Sequence, residues 1–176
     1  ALVKHLSNVL HVKYALVGAL LPGFDRVRTI AVWAGSELVE NFEYDLKGTP
    51  CENVVEQSLC LHTDDVQKKF PEDKILVEME AESYLGVPLT DSAGKSLGIL
   101  AVLDTNIIDD IELVRQVVTI FAARAGAELG RKHAEIQLRE TEEKFRSIFE
   151  NSPLGIVHFN KEGVITASNV KLAEIL

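Results

Sequence analysis

Both cysteines of the chain, Cys51 and Cys60, and one of its five histidines, His62, fall in the single stretch GTPCENVVEQSLCLH. Three chemistries use such side chains. A thiol at a helix start can be a nucleophile or a redox switch, because free N–H groups and the helix dipole stabilise its thiolate. Thiols and an imidazole can hold a metal, here Cys51, Cys60 and His62 with Asp64 or Asp65, although the spacing matches no zinc pattern and no metal is expected. A histidine facing a large apolar pocket can ligate haem iron, and His62 is the candidate. The plain alternative is a small apolar residue packing at a helix start, which is the usual behaviour of cysteine, and a solvent-facing histidine.

The elements that would position these groups follow from hydrophobic spacing. Leu2, Val3, Leu6, Val9 and Leu10 recur at helical intervals and open the chain with an amphipathic helix. KYALVGALL and RVRTIAVWAG, separated by Pro22-Gly23, predict a hairpin. In its second arm Val27, Thr29, Ala31 and Trp33 alternate with Arg28, Ile30 and Val32, which leaves neither face clearly polar and suits a central strand. NFEYDL sets Phe42, Tyr44 and Leu46 opposite Glu43 and Asp45 as a third strand.

Short capped helices are expected next. Thr49-Pro50-Cys51-Glu52 has the form of a capping box, and Asp64 with Gln67 repeats it. Cys60 and His62, two apart in a possible short strand, would point the same way. YLGVPLTD and SLGILAVLD return as two strands joined through a turn at Gly94. From 109 to 152 one long helix is expected, with Gly126 and Gly130 as its weak points. Ile111, Val114, Val118, Phe121 and Ala125 form one apolar stripe, for the sheet. Leu113, Val117 and Ile120 form a second, continued in heptad steps by Ala134, Leu138, Thr141, Phe145 and Ile148, for a partner helix and hence a homodimer. GIVHFNKEGVITASN reads as a further hairpin, and VKLAEIL as a helix start.

The succession GTPCENV, FPEDKILVEMEAESYLGVPL, DSAGKSLGILAVLD and IFAARAGAELGRKHAE resembles the GAF domains of bacterial multidomain sensors. LRETEEKFRSIFENSPLGIVHFNKEGVITASN resembles the linker and opening strands of a PAS domain. The resemblance implies an α+β fold: a central antiparallel sheet, the N-terminal and long C-terminal helices on one face, and a small-molecule pocket on the other. It implies a GAF domain over 1–130, a helical coiled-coil linker over 131–152 and a truncated PAS domain over 153–176. It also implies downstream PAS and output domains, a histidine kinase or diguanylate cyclase, of which neither a G-x-G nucleotide box nor a GGDEF-like run is present. Ile99 departs from the pattern, since relatives are expected to carry histidine there. Bilin-attaching GAF domains have cysteine and histidine adjacent, whereas Leu61 intervenes here, so no bilin is expected. The cyclic-nucleotide signature N-K…F…D-E is missing, and the residues after His133 do not resemble a kinase phosphoacceptor box.

What remains is an apolar cavity. Trp33, Phe42, Tyr44, Val55, Phe70, Met79 and Tyr84 could wall it, with Cys51, Cys60 and His62 as its few polar contacts. The same side chains could equally fill a core. With 47% hydrophobic and 26% charged residues the chain should fold. Eighteen basic against 27 acidic residues give a formal charge of -9, which argues against nucleic acid and acidic lipid as partners. No stretch is apolar enough for a membrane span. Ala1 stands first with no signal peptide, so an excised piece ending inside a second domain is expected, in a cytoplasmic, reducing setting given only two cysteines. Carboxylates fall on charged helix faces rather than in a convergent pair, so no enzyme is expected. The function anticipated is that of a sensory and regulatory module binding an unknown small ligand. A ligand-free dimerisation scaffold and a thiol or cofactor redox sensor are the alternatives.

Overall fold

The computed structural model describes residues 2–57 and 59–175. It divides into two compact units, Ala1–Gly130 and Arg131–Leu176, each described by itself.

In the first unit, helix α1 (Leu2–Leu10) buries Val3 and Leu6, the inward positions of its apolar stripe. It ends where His11 turns left-handed, at φ 54°. The Ser7 hydroxyl closes that end by donating to Val12 O at 2.6 Å. Strands β1 (Tyr14–Leu20) and β2 (Arg26–Ala34) form the hairpin the Pro-Gly predicts. β3 (Glu37–Val39) and β4 (Glu43–Asp45) both pair with β2, and β4 is the third strand expected from NFEYDL. β6 (Ser83–Thr90) and β7 (Ser96–Asp104) return as anticipated, with Gly94 at φ 80° in their turn. With β5 (Cys60–His62) the antiparallel strands run in the order β3-β2-β1-β7-β6-β5.

Between β4 and β6 lie the short helices α2 (Pro50–Gln57), α3 (Val66–Lys69) and α4 (Lys74–Glu78). Their starts correct the capping expectations. The Thr49 hydroxyl donates to Leu46 O at 2.7 Å, and Glu52 reaches past Thr49 to accept from Gly48 N at 2.9 Å. Asp64 and Gln67 form no box either. Asp65 holds the cap position of α3 in the left-handed region without a side-chain cap bond, and Gln67 instead donates to Ala81 O at 2.8 Å. The side-chain cap of this region is Asp73, which accepts from Ile75 N and Leu76 N and starts α4.

The sheet separates two cores. On one face Leu85, Val87, Leu89, Leu100 and Val102 meet Val3 and Leu6 of α1 and Val114, Val118 and Ala122 of the long helix α5 (Ile111–Glu150). On the other, Leu16, Val27, Ile99, Ala101 and Leu103 meet Val54, Val66 and Leu76 of the insert. The chain thus has the α+β architecture expected, an antiparallel sheet flanked by helices with a long C-terminal helix. The sheet-facing stripe of α5 differs in detail: it runs Val114, Val118, Ala122, Gly126, and Ile111 is exposed. Gly126 permits a close approach, because a Cβ there would lie 2.7 Å from Thr90 O.

In the second unit the helix runs on to Glu150, and β8 (Val157–Phe159) pairs antiparallel with β9 (Ile165–Ser168) around a turn at Asn160 to Gly163. The buried Asn169, just before α6 (Val170–Ile175), donates to Phe149 O and Leu154 O and accepts from Ile156 N and Leu172 N, closing the unit with four bonds. Among the described residues no helix is long and apolar enough to cross a membrane.

Candidate functional site

The face under the insert carries the expected aromatic and thiol groups around one hydrophobic core, with each cysteine making its own set of polar contacts. The first set centres on Cys51. As the second residue of α2 it has its thiol directed at the sheet, where the Tyr44 hydroxyl donates to Sγ at 3.3 Å and the Tyr84 hydroxyl lies 3.2 Å from it. Tyr84 is 1% exposed and extends along β6 over Gly86, whose missing side chain makes the room: a Cβ there would overlap the tyrosine hydroxyl. Phe42 stacks obliquely on Tyr44 with centroids 5.9 Å apart. Met79, Asp73 and Leu76 from the α4 segment complete the wall with Leu16 and Leu103 from the sheet.

What these groups enclose is small. The cavity they line measures about 20 Å³, room for one water molecule and for no metabolite unless the insert moves. Its electrostatics follow from burial. Desolvation pushes the Cys51 thiol up to about 11, outweighing the hydrogen bonds from Tyr44 and Tyr84 that favour the thiolate. Cys51 thus behaves as the plain alternative has it, a buried residue packed at a helix start, and its proton stays on through the neutral range. Burial also holds the Tyr44 and Tyr84 hydroxyls well above their ordinary value, and raises the Asp73 carboxyl despite its two backbone donors. The result is an uncharged hydrogen-bonding chain, Tyr44–Cys51–Tyr84, beside one carboxylate. Asp73 was not among the sequence candidates. Its signal was an aspartate two residues before Ile75 and three before Leu76, a cap position hidden inside a run that otherwise reads as a charged face.

The second set is on β5. Cys60 Sγ lies 3.4 Å from His62 Nε2, and the His62 ring meets Phe70 edge-on at 5.1 Å. Burial raises the Cys60 thiol, and burial with the nearby Lys69 lowers His62, so the pair is neutral. Cys60, His62 and Phe70 do not line the Cys51 cavity.

Val55 packs against the same core as Cys51 and Tyr84 and also borders a depression with Phe24, Asp25, Leu46, Lys47 and Glu52. One other candidate moves: Trp33 lies on the opposite face, packed with α1 and approached by the Lys4 ammonium at 5.1 Å. The cause is a bulge. Val17 pairs with Ala31 and Gly18 with Thr29, which leaves Ile30 unpaired and turns the strand over, so Val27 and Trp33 face opposite cores. β2 lies inside the sheet as expected, between β1 and the short strands β3 and β4, although Arg26, Arg28 and Ile30 are exposed. Of the partner stripe on α5, Leu113, Ile120, Leu138, Phe145 and Ile148 are exposed and Val117 is half-buried. Phe145 also stacks on Phe149 at 5.8 Å.

A family model described as GAF domain matches residues 1–129. No curated protein matches the chain at a significant level. Among solved structures the chain is similar to the GAF domain of Acinetobacter phosphoenolpyruvate-protein phosphotransferase, at 15% identity and TM-score 0.57 over 77% of this chain and 81% of that one. It is similar to a domain of a putative two-component sensor histidine kinase from Sinorhizobium meliloti 1021, at 12% identity and TM-score 0.57 over 78% and 92%. It is also similar to the phycocyanobilin-bound GAF domain of a cyanobacterial phytochrome, at 12% identity and TM-score 0.58 over 74% and 81%. At these identities the likeness is one of fold.

Proposed function

Since the chain belongs to the GAF domain family, we propose that it is a sensory and regulatory module of a cytoplasmic signalling protein, and no enzyme itself. A small ligand enters the chamber beneath α2, α3 and α4 after those helices lift from the sheet. Its presence changes how they pack, and the change passes through α5, paired with the α5 of a second copy, to the segment beyond. Residues 153–176 are on this reading the opening of a PAS domain, and the parent protein carries an output module.

The observation that carries the proposal is the Tyr44–Cys51–Tyr84 chain with Asp73. An apolar core gains little from three hydroxyl and thiol groups and a carboxylate at its centre, whereas a binding site needs a few placed polar groups in apolar walls. The insert above them is made of three helices of eight, four and five residues, too short to hold themselves without the sheet. The size of the cavity favours a second reading, a scaffold whose core is simply filled and which only dimerises and spaces domains.

A thermal-shift screen of purified protein against bacterial metabolites separates the two. A ligand at about 100 times its dissociation constant adds ~2.7 kcal/mol, a rise of several degrees. A rise that Tyr44→Phe abolishes supports the sensor, and a melting point unmoved by every compound supports the scaffold. A redox or chromophore sensor would declare itself in the visible spectrum or in a fast thiol.

A further inference from the structure

Asn169 stands between β9 and α6, and among the described residues from 151 to 175 it alone is buried, at 1% exposure. A buried side-chain amide costs free energy unless its donors and its acceptor oxygen are used. Here all are used. Nδ2 donates to Phe149 O and to Leu154 O, each at 2.9 Å, while Oδ1 accepts from Ile156 N at 2.8 Å and from Leu172 N at 3.1 Å. The four partners belong to different parts of the second unit. Phe149 O is a carbonyl of the last turn of α5, and Leu172 N is an amide of the first turn of α6, so both are groups for which a helix supplies no partner of its own. Leu154 and Ile156 lie in the connector that leads into β8. One side chain therefore caps the end of one helix and the start of the next, and grips the chain between them.

Further contacts cross the same junction. Glu150 Oε2 accepts from Val170 N at 3.3 Å, Asn169 N donates to Ile156 O at 3.1 Å, and the rings of Phe145 and His158 meet edge-on at 6.4 Å. Gly155 brings the connector directly onto α6, since a Cβ there would lie 2.9 Å from Leu172 Cδ1 and 3.1 Å from Leu172 Cα. We propose that Asn169 is the lock of a rigid joint, which holds the end of α5, the β8–β9 hairpin and α6 as one moving body. A rotation or shift of the end of α5 then arrives at the hairpin and α6 undiminished, where a free connector would absorb it. The reading of α5 as the output element decides only what is transmitted, and the joint itself stands whether or not a ligand binds. The lock needs asparagine, because it uses two donors and an acceptor in one flat group. Aspartate keeps the acceptor, loses both donors and sets a charge against two carbonyls. Serine keeps an acceptor for the start of α6 and is too short to reach Phe149 O as well.

Residual dipolar couplings of the deuterated full chain test the joint, because they report how its parts are oriented in solution. In wild type the amides of 131–150 and of 156–175 should fit a single alignment tensor. Asn169→Ser should leave α6 helical by its chemical shifts and yet require two tensors, an effect that loss of a helix cap by itself would not produce. The Ile156 amide should also exchange with solvent about tenfold faster or more in that variant. Asn151→Ser is the control, since the Asn151 side chain reaches back only to Ser147, and it should keep one tensor. Should Asn169→Ser unfold the hairpin, Asn169→Asp, of the same size, takes its place. Two tensors in wild type, or a single tensor in the Asn169 variant with α6 folded, overturns the proposal. Neither result bears on ligand binding by the first unit, which the thermal-shift screen decides.

Discussion

Cys51 illustrates how burial overrides local sequence chemistry. The start of α2 should lower a thiol by its dipole, but Cys51 is buried, and the cost of a bare thiolate in the core is larger. The sign for stability follows. A folded-state value raised from 9.0 to about 11 means that the stability it contributes is whole below pH 9 and is lost as pH rises towards 11. We predict that the unfolding free energy, measured in denaturant from pH 8 to 11, falls by about 2 kcal/mol less in Cys51→Ala than in wild type. An identical fall in both would mean that the thiol ionises freely. Cys60 should accept an alkylating reagent readily in the native protein, and Cys51 more slowly, through the opening of the insert that carries α2. At this scale much of the site was legible: Phe42, Tyr44, Cys51, Met79 and Tyr84 were chosen as bulky or thiol-bearing residues near the insert, and they do meet. Trp33 could not be placed, because the side of a strand depends on whether a residue is skipped, and nothing in RVRTIAVWA marks Ile30 as the skipped one. Asp73 was masked by its charged neighbours.

The two glycines of α5 look alike as interruptions of a helical pattern, and the fold separates them. Gly126 lies against the Thr90 backbone, which cannot yield as a flexible side chain would, whereas a Cβ on Gly130 would find only ordinary contacts, 3.5 Å from Leu97. Gly126→Ala should therefore destabilise by about 1–3 kcal/mol through overpacking, despite the better helix former. Gly130→Ala should stabilise by roughly 0.5–1 kcal/mol through propensity alone. Thermal or denaturant unfolding of the two variants checks this; equal effects would mean that α5 does not approach β6 so closely. Long periodic elements were the legible ones: α1, α5 and the four strands β1, β2, β6 and β7 each repeat a pattern over seven residues or more. β3, with three residues, is too short to show a period, and it escaped. The caps also misled, because Thr49, Asp64 and Asp65 have the right residue types, while the chain direction into each helix decides which oxygen meets which N–H.

For the whole molecule, α5 is the element that the proposed dimer would pair. Its 40 residues leave Ile120 68% exposed, Leu138 62% and Ile148 72%, in heptad register but broken by Arg124 and Arg131. Isolated exposed apolar side chains need no explanation, whereas a stripe of them along one helix face marks an interaction surface. Ile120→Glu with Leu138→Glu should halve the mass in light scattering while leaving the helix content intact, and a dimer that persists would place the interface elsewhere. The central claim is that α2, α3 and α4 open from the sheet as a unit. Native-state hydrogen exchange of the free protein tests it most directly, because it needs no ligand to be known. Amides of the insert should exchange through a sub-global opening, with a lower free energy and a weaker denaturant dependence than global unfolding, while those of β6 and β7 exchange only through global unfolding. Equal protection of the insert and the central strands would contradict the claim, and would make the Tyr44–Cys51–Tyr84 cluster the interior of a filled core.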